Sequence, residues 1–140
     1  MEDLSLHLLD IVENSLRANA RNIGIRLTRD EGEDRLVLEV TDDGDGMDDE
    51  TLHRATDPFF TTKEGKKAGL GLAFLARSAR EAGGTMEVGS EKGKGTKIVA
   101  IFAMNHIDRL PLGNLDETLR CLRATHPDVN FNFEQVPTAG

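Results

Sequence analysis

Residues 40–72 read VTDDGDGMDDETLHRATDPFFTTKEGKKAGLGL and decide the fold of this chain. They begin at the end of an apolar, strand-like run and pass through DDGDG at residues 42–46. They finish with GLGL at residues 69–72, which opens an apolar helix. Glycine allows positive φ angles and lets a ligand approach the main chain where a Cβ would block it. The segment therefore predicts a binding site formed largely by backbone, between the end of a strand and the start of a helix.

A small group of lysines lies between the two glycine clusters, in an otherwise acidic protein: Lys63, Lys66 and Lys67. The start of the following helix offers unpaired N–H groups and the positive end of its dipole, which together favour phosphate. Asp42 directly follows an apolar strand, where a carboxylate needs hydrogen-bond partners. These features predict a nucleotide site, with a carboxylate for the base, glycines around the ring and a basic loop over the phosphates.

Length, charge and cysteine content limit the class of protein. The 140 residues suffice for one compact domain, and the net charge of −8 disfavours nucleic acid and anionic membranes as partners. No apolar run is long enough to span a bilayer, and the acidic start does not resemble a signal peptide. The single Cys121, expected to be a buried thiol on an amphipathic helix, indicates a reducing compartment. We therefore expect a cytoplasmic protein with no nucleic-acid or membrane partner.

The hydrophobic pattern predicts alternating helices and strands. Leu8, Ile11 and Ser15 recur at helical spacing, whereas Ile23 and Ile25 alternate with polar residues. The predicted helices are residues 4–20, 47–54, 70–82 and 115–125, and the predicted strands are 22–27, 36–40, 85–89, 96–103 and 129–136, the last at a sheet edge. Residues 56–68 show neither period and are predicted to be a loop that orders over a ligand. The whole pattern predicts an α+β sandwich.

Four motifs in a fixed order carry a resemblance to a known family. DIVEN at residues 10–14 resembles its N box, and DDGDG at 42–46 resembles its DxGxG box, with Asp43 where Asn is usual. PFFTTK at 58–63, followed by GLGL, is similar to the lid of histidine kinases, and GKGT at 93–96 is similar to the last glycine box. From about Leu4 to Ala103, the chain thus resembles the ATP-binding domain shared by gyrase, the Hsp90 chaperone, sensor histidine kinases and MutL, called the GHKL or Bergerat fold.

The resemblance implies a two-layer α/β sandwich, with a mixed, mostly antiparallel sheet covered on one face by helices. Residues 1–104 would be the histidine kinase-like ATP-binding domain, and residues 105–140 a helix-strand extension of the same domain. The resemblance assigns Mg²⁺ to the amide oxygen of Asn14 and the amino group of adenine to Asp42. Asp10 takes the place of the catalytic base, and Glu13 is the other candidate carboxylate.

Further nucleotide-binding residues follow from the matched motifs. Gly44 and Gly46 would let the base lie against the main chain, with Met47 as apolar lining, and Thr96 resembles the residue that helps to fix Asp42 and a bound water. The remaining candidates would anchor the lid or meet the phosphates: Arg17, Phe60, Thr62, Lys63, Lys67, Gly69, Leu70, Gly71 and Leu72.

The length of the chain favours one branch of the family. Gyrase-, MutL- and Hsp90-like members need a further transducer domain, so the resemblance points to histidine kinases and anti-sigma serine kinases. His106 is expected to be a loop histidine rather than a phosphoacceptor. We therefore expect a stand-alone Mg-ATP-binding domain in signal transduction, which phosphorylates or regulates a protein partner in trans or acts as a weak ATPase. The alternative is an ATP-dependent conformational switch without phosphotransfer, and a homodimer stays open.

Overall fold

The computed structural model describes residues 4–30, 32–56, 70–81, 83–103 and 115–138. The helices are α1 (Leu4–Arg17), α2 (Asp49–Thr56), α3 (Leu70–Glu81) and α4 (Leu115–Thr125). The strands are β1 (Asn22–Asp30), β2 (Arg35–Asp42), β3 (Thr85–Glu91), β4 (Gly95–Ala103) and β5 (Asn130–Thr138). Most of the predicted lid, including Phe60, Thr62, Lys63, Lys67 and Gly69, lies outside the described residues, as does His106.

The strands form one five-stranded sheet in the order β3-β4-β2-β1-β5. The pairs β1–β2, β2–β4 and β3–β4 are antiparallel, whereas β5 runs parallel to β1 along its whole length. The predictions of an α+β fold with a mixed, mostly antiparallel sheet, and of a last strand at the sheet edge, are therefore confirmed. In this register Asp42, the last residue of β2, lies opposite Thr96 of β4.

The buried apolar residues of the described segments form one core cluster between the sheet and the helices. Alternate residues of the central strands are buried, among them Ile23, Leu38 and Ala100, because successive side chains of a strand point to opposite faces. Helix α1 adds Leu8, and α4 adds Leu122 to the same cluster. Each such large side chain stabilises the fold by roughly 1.5–3 kcal/mol relative to exposure. One face of the sheet is thus covered by helices, and the site lies where β2 ends and β4 begins.

Helix α1 ends three residues earlier than the predicted boundary at residue 20. Asn19 adopts a φ angle of 64°, a left-handed conformation that a helix cannot continue through. The amide of Ala20 donates to the carbonyl of Ser15 at 3.1 Å, and the amide of Asn19 donates to Leu16 at 3.1 Å. This hydrogen-bond pair is a Schellman motif with Asn19 at its left-handed position. The turn brings residues 18 and 19 beside the loop that follows β2.

Helix α4 has the predicted boundaries, but the prediction of a buried Cys121 is wrong. Leu119 and Leu122 are 2% and 4% exposed and form the buried stripe of this helix. Cys121 is exposed, because one position in a helix turns the side chain by about 100° away from its neighbour. A cysteine next to a buried leucine therefore need not share its environment.

None of the helices in the described ranges combines the length and the apolar character that crossing a membrane requires.

Candidate nucleotide-binding site

The half-buried carboxylate of Asp42 is held from two sides at the end of β2. The hydroxyl of Ser15 donates to its Oδ2 at 2.6 Å, and the amide of Gly44 donates to its Oδ1 at 2.9 Å. Ser15 is only 4% exposed, so this hydrogen bond connects α1 with β2 inside the protein. A hydrogen bond to a charged group contributes about 1.5–3 kcal/mol. Both carboxylate oxygens keep lone pairs, so Asp42 is an oriented acceptor for a donor on a ligand.

The loop formed by residues 42–47, which we call the Asp42 loop, is fixed between two turns. On one side, the amide of Asp45 donates to the carbonyl of Ala18 at 2.7 Å, and Asn19 Nδ2 donates to Asp45 Oδ2 at 3.0 Å. On the other side, the amide of Gly93 donates to the carbonyl of Asp45 at 2.6 Å. The loop is therefore anchored both to the end of α1 and to the turn between β3 and β4.

Two glycines allow the main chains to come this close. Gly46 has a φ angle of 71°, and a Cβ on it would lie 2.0 Å from the carbonyl oxygen of Glu91. Gly95 has a φ angle of 115°, and a Cβ there would lie 2.0 Å from the carbonyl oxygen of Asp42. Such distances are far inside van der Waals contact, so any other residue would displace the loop. These glycines are required by the fold itself, in addition to any ligand that approaches them.

Ser90 joins the Asp42 loop to β4. Its Oγ accepts a hydrogen bond from the amide of Met47 at 2.8 Å and lies 2.8 Å from Thr96 Oγ1. It also donates to the carbonyl of Gly95 at 3.0 Å. The side chain of Met47 is half-buried and packs against the core. Ser90 was not predicted as a site residue, because the sequence offers one signal alone, its position shortly before the glycine turn.

Ser15 was also missed as a functional residue. The sequence places it on the apolar stripe of α1, and its hydroxyl on that stripe was the signal that it has a buried polar partner. Asn14, the next residue on the helix, is half-buried, and Asp10 is exposed one turn earlier. Ser15 directly follows the predicted N box and contacts Asp42, so the end of that box lies close to the start of the DxGxG box.

Asp43 has a structural role that its neighbour Asp42 lacks. Its Oδ1 accepts hydrogen bonds from the amides of Arg21 and Asn22 at 2.8 and 2.9 Å, and its Oδ2 accepts one from Asn22 Nδ2 at 2.8 Å. The side-chain amide of Asn22 and then these backbone amides lower the pKa of Asp43 from 3.8 to about 2. The carboxylate therefore fastens the start of β1 to the end of β2.

The structure places Asp42 and the predicted phosphate contact Arg17 in two different cavities. Asp42 and Thr96 line a cavity of about 660 Å³ at the end of the sheet. Arg17, which is exposed, instead lines a cavity of about 800 Å³ between α1 and α4, together with Glu13. We call this second cavity the α1–α4 groove; its other lining residues are Leu9, Leu16, Glu117, Thr118, Cys121, Leu122, Thr125 and His126. The structure thus places Arg17 in a different cavity from Asp42.

For the nucleotide-binding residues predicted at the start of α3, the structure describes the backbone and not the side chains. Leu70, Gly71 and Leu72 form the first turn of this helix. Helix α3 packs against α1, α2 and the strands β3 and β4. The first-turn amides of such a helix are the groups that would face phosphate.

The oxygen donors on α1 fit a magnesium ion that is bound together with phosphates. Asp10 and Asn14 are four residues apart and lie on neighbouring positions of one helix side. Mg²⁺ prefers oxygen ligands and usually takes only one or two from the protein, the others coming from phosphates and water. The described residues contain no cluster of three or more His, Cys, Asp or Glu side chains that could hold a metal ion alone. The oxygen atoms of Asp10 and Asn14 are thus of the type and number that Mg²⁺ usually takes from a protein.

Comparison with known proteins decides the family. The model of a family described as "Histidine kinase-, DNA gyrase B-, and HSP90-like ATPase" matches residues 2–106. The chain belongs to this ATPase family. The family name GHKL therefore applies to it, and the resemblance found in the four sequence motifs is confirmed. Helix α4 and strand β5 lie beyond the matched residues of this GHKL domain.

Relatives of this GHKL chain include proteins named as kinases. It is 36% identical over 103 residues to a putative sensor protein from Shewanella frigidimarina, covering 72% of this chain and 16% of the relative. It is 33% identical over 96 residues to sporulation kinase C from Bacillus subtilis, covering 69% and 22%. It is 32% identical over 106 residues to sensor histidine kinase ZraS from Escherichia coli, covering 76% and 23%. The chain thus spans about a fifth of these relatives' length and is an ATP-binding domain of the histidine kinase type.

Proposed function

We propose that this GHKL domain binds ATP with Mg²⁺ and either transfers the γ-phosphoryl group to a protein partner or regulates that partner in trans. The observation that carries the proposal is the carboxylate of Asp42, which Ser15 and Gly44 orient at the floor of the site. An oriented, acceptor-only group matches the amino group of adenine and repels the carbonyl of guanine. Asn14, which precedes Ser15 on α1, would connect this base site with the phosphates.

The residues of α1 would act on the phosphate end of the nucleotide. Asn14 would hold Mg²⁺, and the ion supplies positive charge that offsets the charge of the transferring phosphoryl group. Asp10, exposed one turn before Asn14, would orient or deprotonate the attacking group. Glu13, the other candidate carboxylate, lines the α1–α4 groove with Arg17 and is less suited to this role. The lysines and threonines of the lid would complete the phosphate contacts.

Phosphotransfer from this domain would be a direct displacement. A nucleophilic atom of the partner forms a bond to the γ-phosphorus while the bond to the β,γ-bridging oxygen breaks, and ADP leaves. Any proton of the nucleophile passes to the carboxylate base. Two relatives named as kinases support a kinase-type reaction, and the coverage of about a fifth of their length is why the partner is proposed rather than named. The proposal includes a cytoplasmic role in signal transduction.

Binding of ATP is tested first, by isothermal titration calorimetry with and without Mg²⁺. Asp42→Asn should weaken ATP binding by about tenfold or more, because the oriented carboxylate is replaced by an amide that also donates. Asp128→Asn is the matched control, since it removes the same charge from an exposed turn after α4. Equal ATP affinity in wild type and Asp42→Asn would contradict the assignment of the base site.

Transfer is tested next, with γ-labelled ATP and an extract of the source cells. The expected result is a labelled protein whose labelling is lost in Asp10→Asn while ATP stays bound. Asn14→Ala should remove the Mg²⁺ dependence of binding. Tight ATP binding with neither a labelled partner nor released phosphate would favour the conformational switch instead.

A further inference from the structure

Ser90 uses every hydrogen-bonding position of its hydroxyl. A serine hydroxyl has one proton and two lone pairs. Among the described residues, three groups lie within hydrogen-bond distance of Ser90 Oγ: the amide of Met47 at 2.8 Å, the carbonyl of Gly95 at 3.0 Å and Thr96 Oγ1 at 2.8 Å. The amide of Met47 can only donate, and the carbonyl of Gly95 can only accept.

Only one arrangement of protons satisfies all three contacts. The proton of Ser90 must go to Gly95, so one lone pair receives the amide of Met47 and the other receives the hydroxyl proton of Thr96. If Ser90 donated to Thr96 instead, two acceptors, Ser90 Oγ and the carbonyl of Gly95, would face each other without a proton. Thr96 therefore directs its proton to Ser90 and offers only lone pairs to any other group.

Thr96 and Asp42 are paired across β2 and β4, so a ligand at this end of the sheet meets the hydrogen-bonding groups of both residues. Asp42 accepts from Ser15 and Gly44 and has no proton to donate. With its proton committed to Ser90, Thr96 is an acceptor as well. A ligand or bridging water at this end of the sheet consequently meets two acceptors and must supply donors.

We propose that Ser90 is a positioning residue that determines base selectivity: by fixing Thr96 as an acceptor beside Asp42, it favours a 6-aminopurine over a 6-oxopurine nucleotide. The inference rests on the proposed ATP-binding function of the site and adds the residue that sets its selectivity. Without Ser90, the hydroxyl of Thr96 rotates freely and can donate to a 6-oxo group, directly or through water. Selectivity then depends on Asp42 alone.

The competing explanation is that Ser90 only anchors the Asp42 loop through Met47. Loss of an anchor would weaken the binding of every nucleotide by the same factor, because the loop is common to all of them. If Ser90 instead fixes the direction of the Thr96 proton, its loss changes the ratio of the affinities for nucleotides with two different bases. The ratio of affinities therefore distinguishes the two roles.

The test compares the affinities of ATP and inosine triphosphate. Adenine presents two amino protons at position 6 and an N1 acceptor, whereas hypoxanthine presents a 6-oxo acceptor and one donor, N1–H. Calorimetry with Mg²⁺ is carried out on wild type, Ser90→Ala and Ser90→Thr. The preference of the wild type for ATP should fall by about tenfold in Ser90→Ala, the equivalent of one hydrogen bond, and should be retained in Ser90→Thr, which keeps the hydroxyl. An unchanged preference in a folded Ser90→Ala protein overturns the proposal.

A double-mutant cycle identifies the route of the effect. Thr96→Val removes the hydroxyl at nearly constant volume and should lower the preference for ATP by itself. Adding Ser90→Ala to Thr96→Val should then change the preference by less than about twofold, because Ser90 acts through Thr96. A further fall of the same size as in the single variant contradicts that route.

The remaining outcomes are also decisive. If Ser90→Ala does not give a cooperative thermal transition, Ser90→Cys, with a similar size and a weak acceptor, replaces it under the same criterion. If the wild type binds neither nucleotide, the proposed function itself fails. If the wild type binds ATP and Asp42→Asn weakens it, but Ser90→Ala keeps the preference, only the role of Ser90 is lost.

Discussion

The Asp42 loop and the α1–α4 groove are both built against helix α1, but they use different sides of it and different kinds of contact. In the loop, main-chain groups and short side chains form directed hydrogen bonds, such as that from the amide of Asp45 to Ala18 at 2.7 Å. The groove is lined by leucines at its base and by exposed polar side chains such as Arg17 and Glu117.

This difference indicates which region can orient a ligand. Hydrogen bonds fix both the position and the direction of a group, whereas apolar contacts fix its burial without fixing its direction. The Asp42 loop can therefore select a ligand by its donors and acceptors. The groove contributes to the stability of the fold through Leu122, but it does not fix the orientation of a ligand. Changes in the loop should thus abolish binding, and changes in α4 should alter stability alone.

The largest effect is expected for Gly46→Ala. The new Cβ would lie 2.0 Å from the carbonyl oxygen of Glu91, and alanine would have to adopt a φ angle of 71°. The left-handed conformation alone costs about 1–2 kcal/mol, and the clash must displace the loop that carries Asp42. We expect ATP binding to fall below detection by calorimetry, with a lowered thermal midpoint.

Gly89→Ala is the matched control for this substitution. A Cβ on Gly89 would meet no atom within 4 Å, and Gly89 is an exposed residue of β3. Its ATP affinity and thermal midpoint should stay close to those of the wild type. A Gly46→Ala protein that binds ATP as well as Gly89→Ala does would show that the contact between the loop and Glu91 is dispensable.

The second prediction concerns α4. Leu122 is 4% exposed, and Leu122→Ala should lower the free energy of unfolding by about 2–4 kcal/mol through lost burial and the cavity left behind. The ATP affinity of the folded variant should be unchanged, because Asp42 and its partners lie on another side of α1. Urea unfolding and calorimetry at a temperature where the variant is folded give the two quantities. Arg120→Ala, an exposed position of the same helix, is the control; a loss of ATP affinity in Leu122→Ala would remove the distinction between the regions.

The elements of this fold could be predicted from the sequence because their hydrophobic periods are regular. Leu8 and Ile11 follow a helical repeat, and Ile23 and Ile25 follow the repeat of a strand. The order of the strands could not be obtained in this way. The parallel pairing of β5 with β1 joins Phe131 to Ile23 across more than a hundred residues, and no local pattern records it.

The candidate site likewise combines a feature that the local sequence reveals with contacts between residues far apart in the chain. Asp42 ends an apolar strand and begins the DDGDG motif, so the local sequence was enough to find it. The partners that orient Asp42 and Thr96 are Ser15, 27 residues before Asp42, and Ser90, which touches the loop through the amide of Met47. Such contacts exist only after the chain has folded. Cys121 was misjudged for a related reason: its neighbours are apolar, and only the packing of α4 decides which of them is buried.

A smaller effect is expected from Asp43, at the edge of the loop. Its pKa of about 2 in the folded protein lies below the ordinary 3.8. A lowered pKa means that the unfolded chain takes up the proton first as the pH falls. The stability that Asp43 contributes is therefore complete above about pH 4 and is lost as the pH falls towards 2.

Urea unfolding between pH 6 and pH 2.5 measures this loss. Asp43→Asn should lack that part of the pH dependence. Asn22→Ala removes the largest cause of the lowered pKa, so the folded pKa should move back towards 3.8. The loss of stability should then be smaller than in the wild type and should be complete at a higher pH. Identical pH profiles in all three proteins would mean that the hydrogen bonds from Asn22 do not stabilise the charged form.

The smallest effect is expected from a change at Cys121, which lines the α1–α4 groove and tests the expectation for it. Because this thiol is exposed on α4, it should react with a disulfide reagent such as Ellman's reagent without denaturant, and at the same rate with or without Mg-ATP. Cys121→Ser should change the free energy of unfolding by no more than about 0.5 kcal/mol, as is usual for surface positions. Protection of the thiol by Mg-ATP would be the informative exception: it would show that nucleotide binding reaches across α1, and that the two sides of this helix act as one unit.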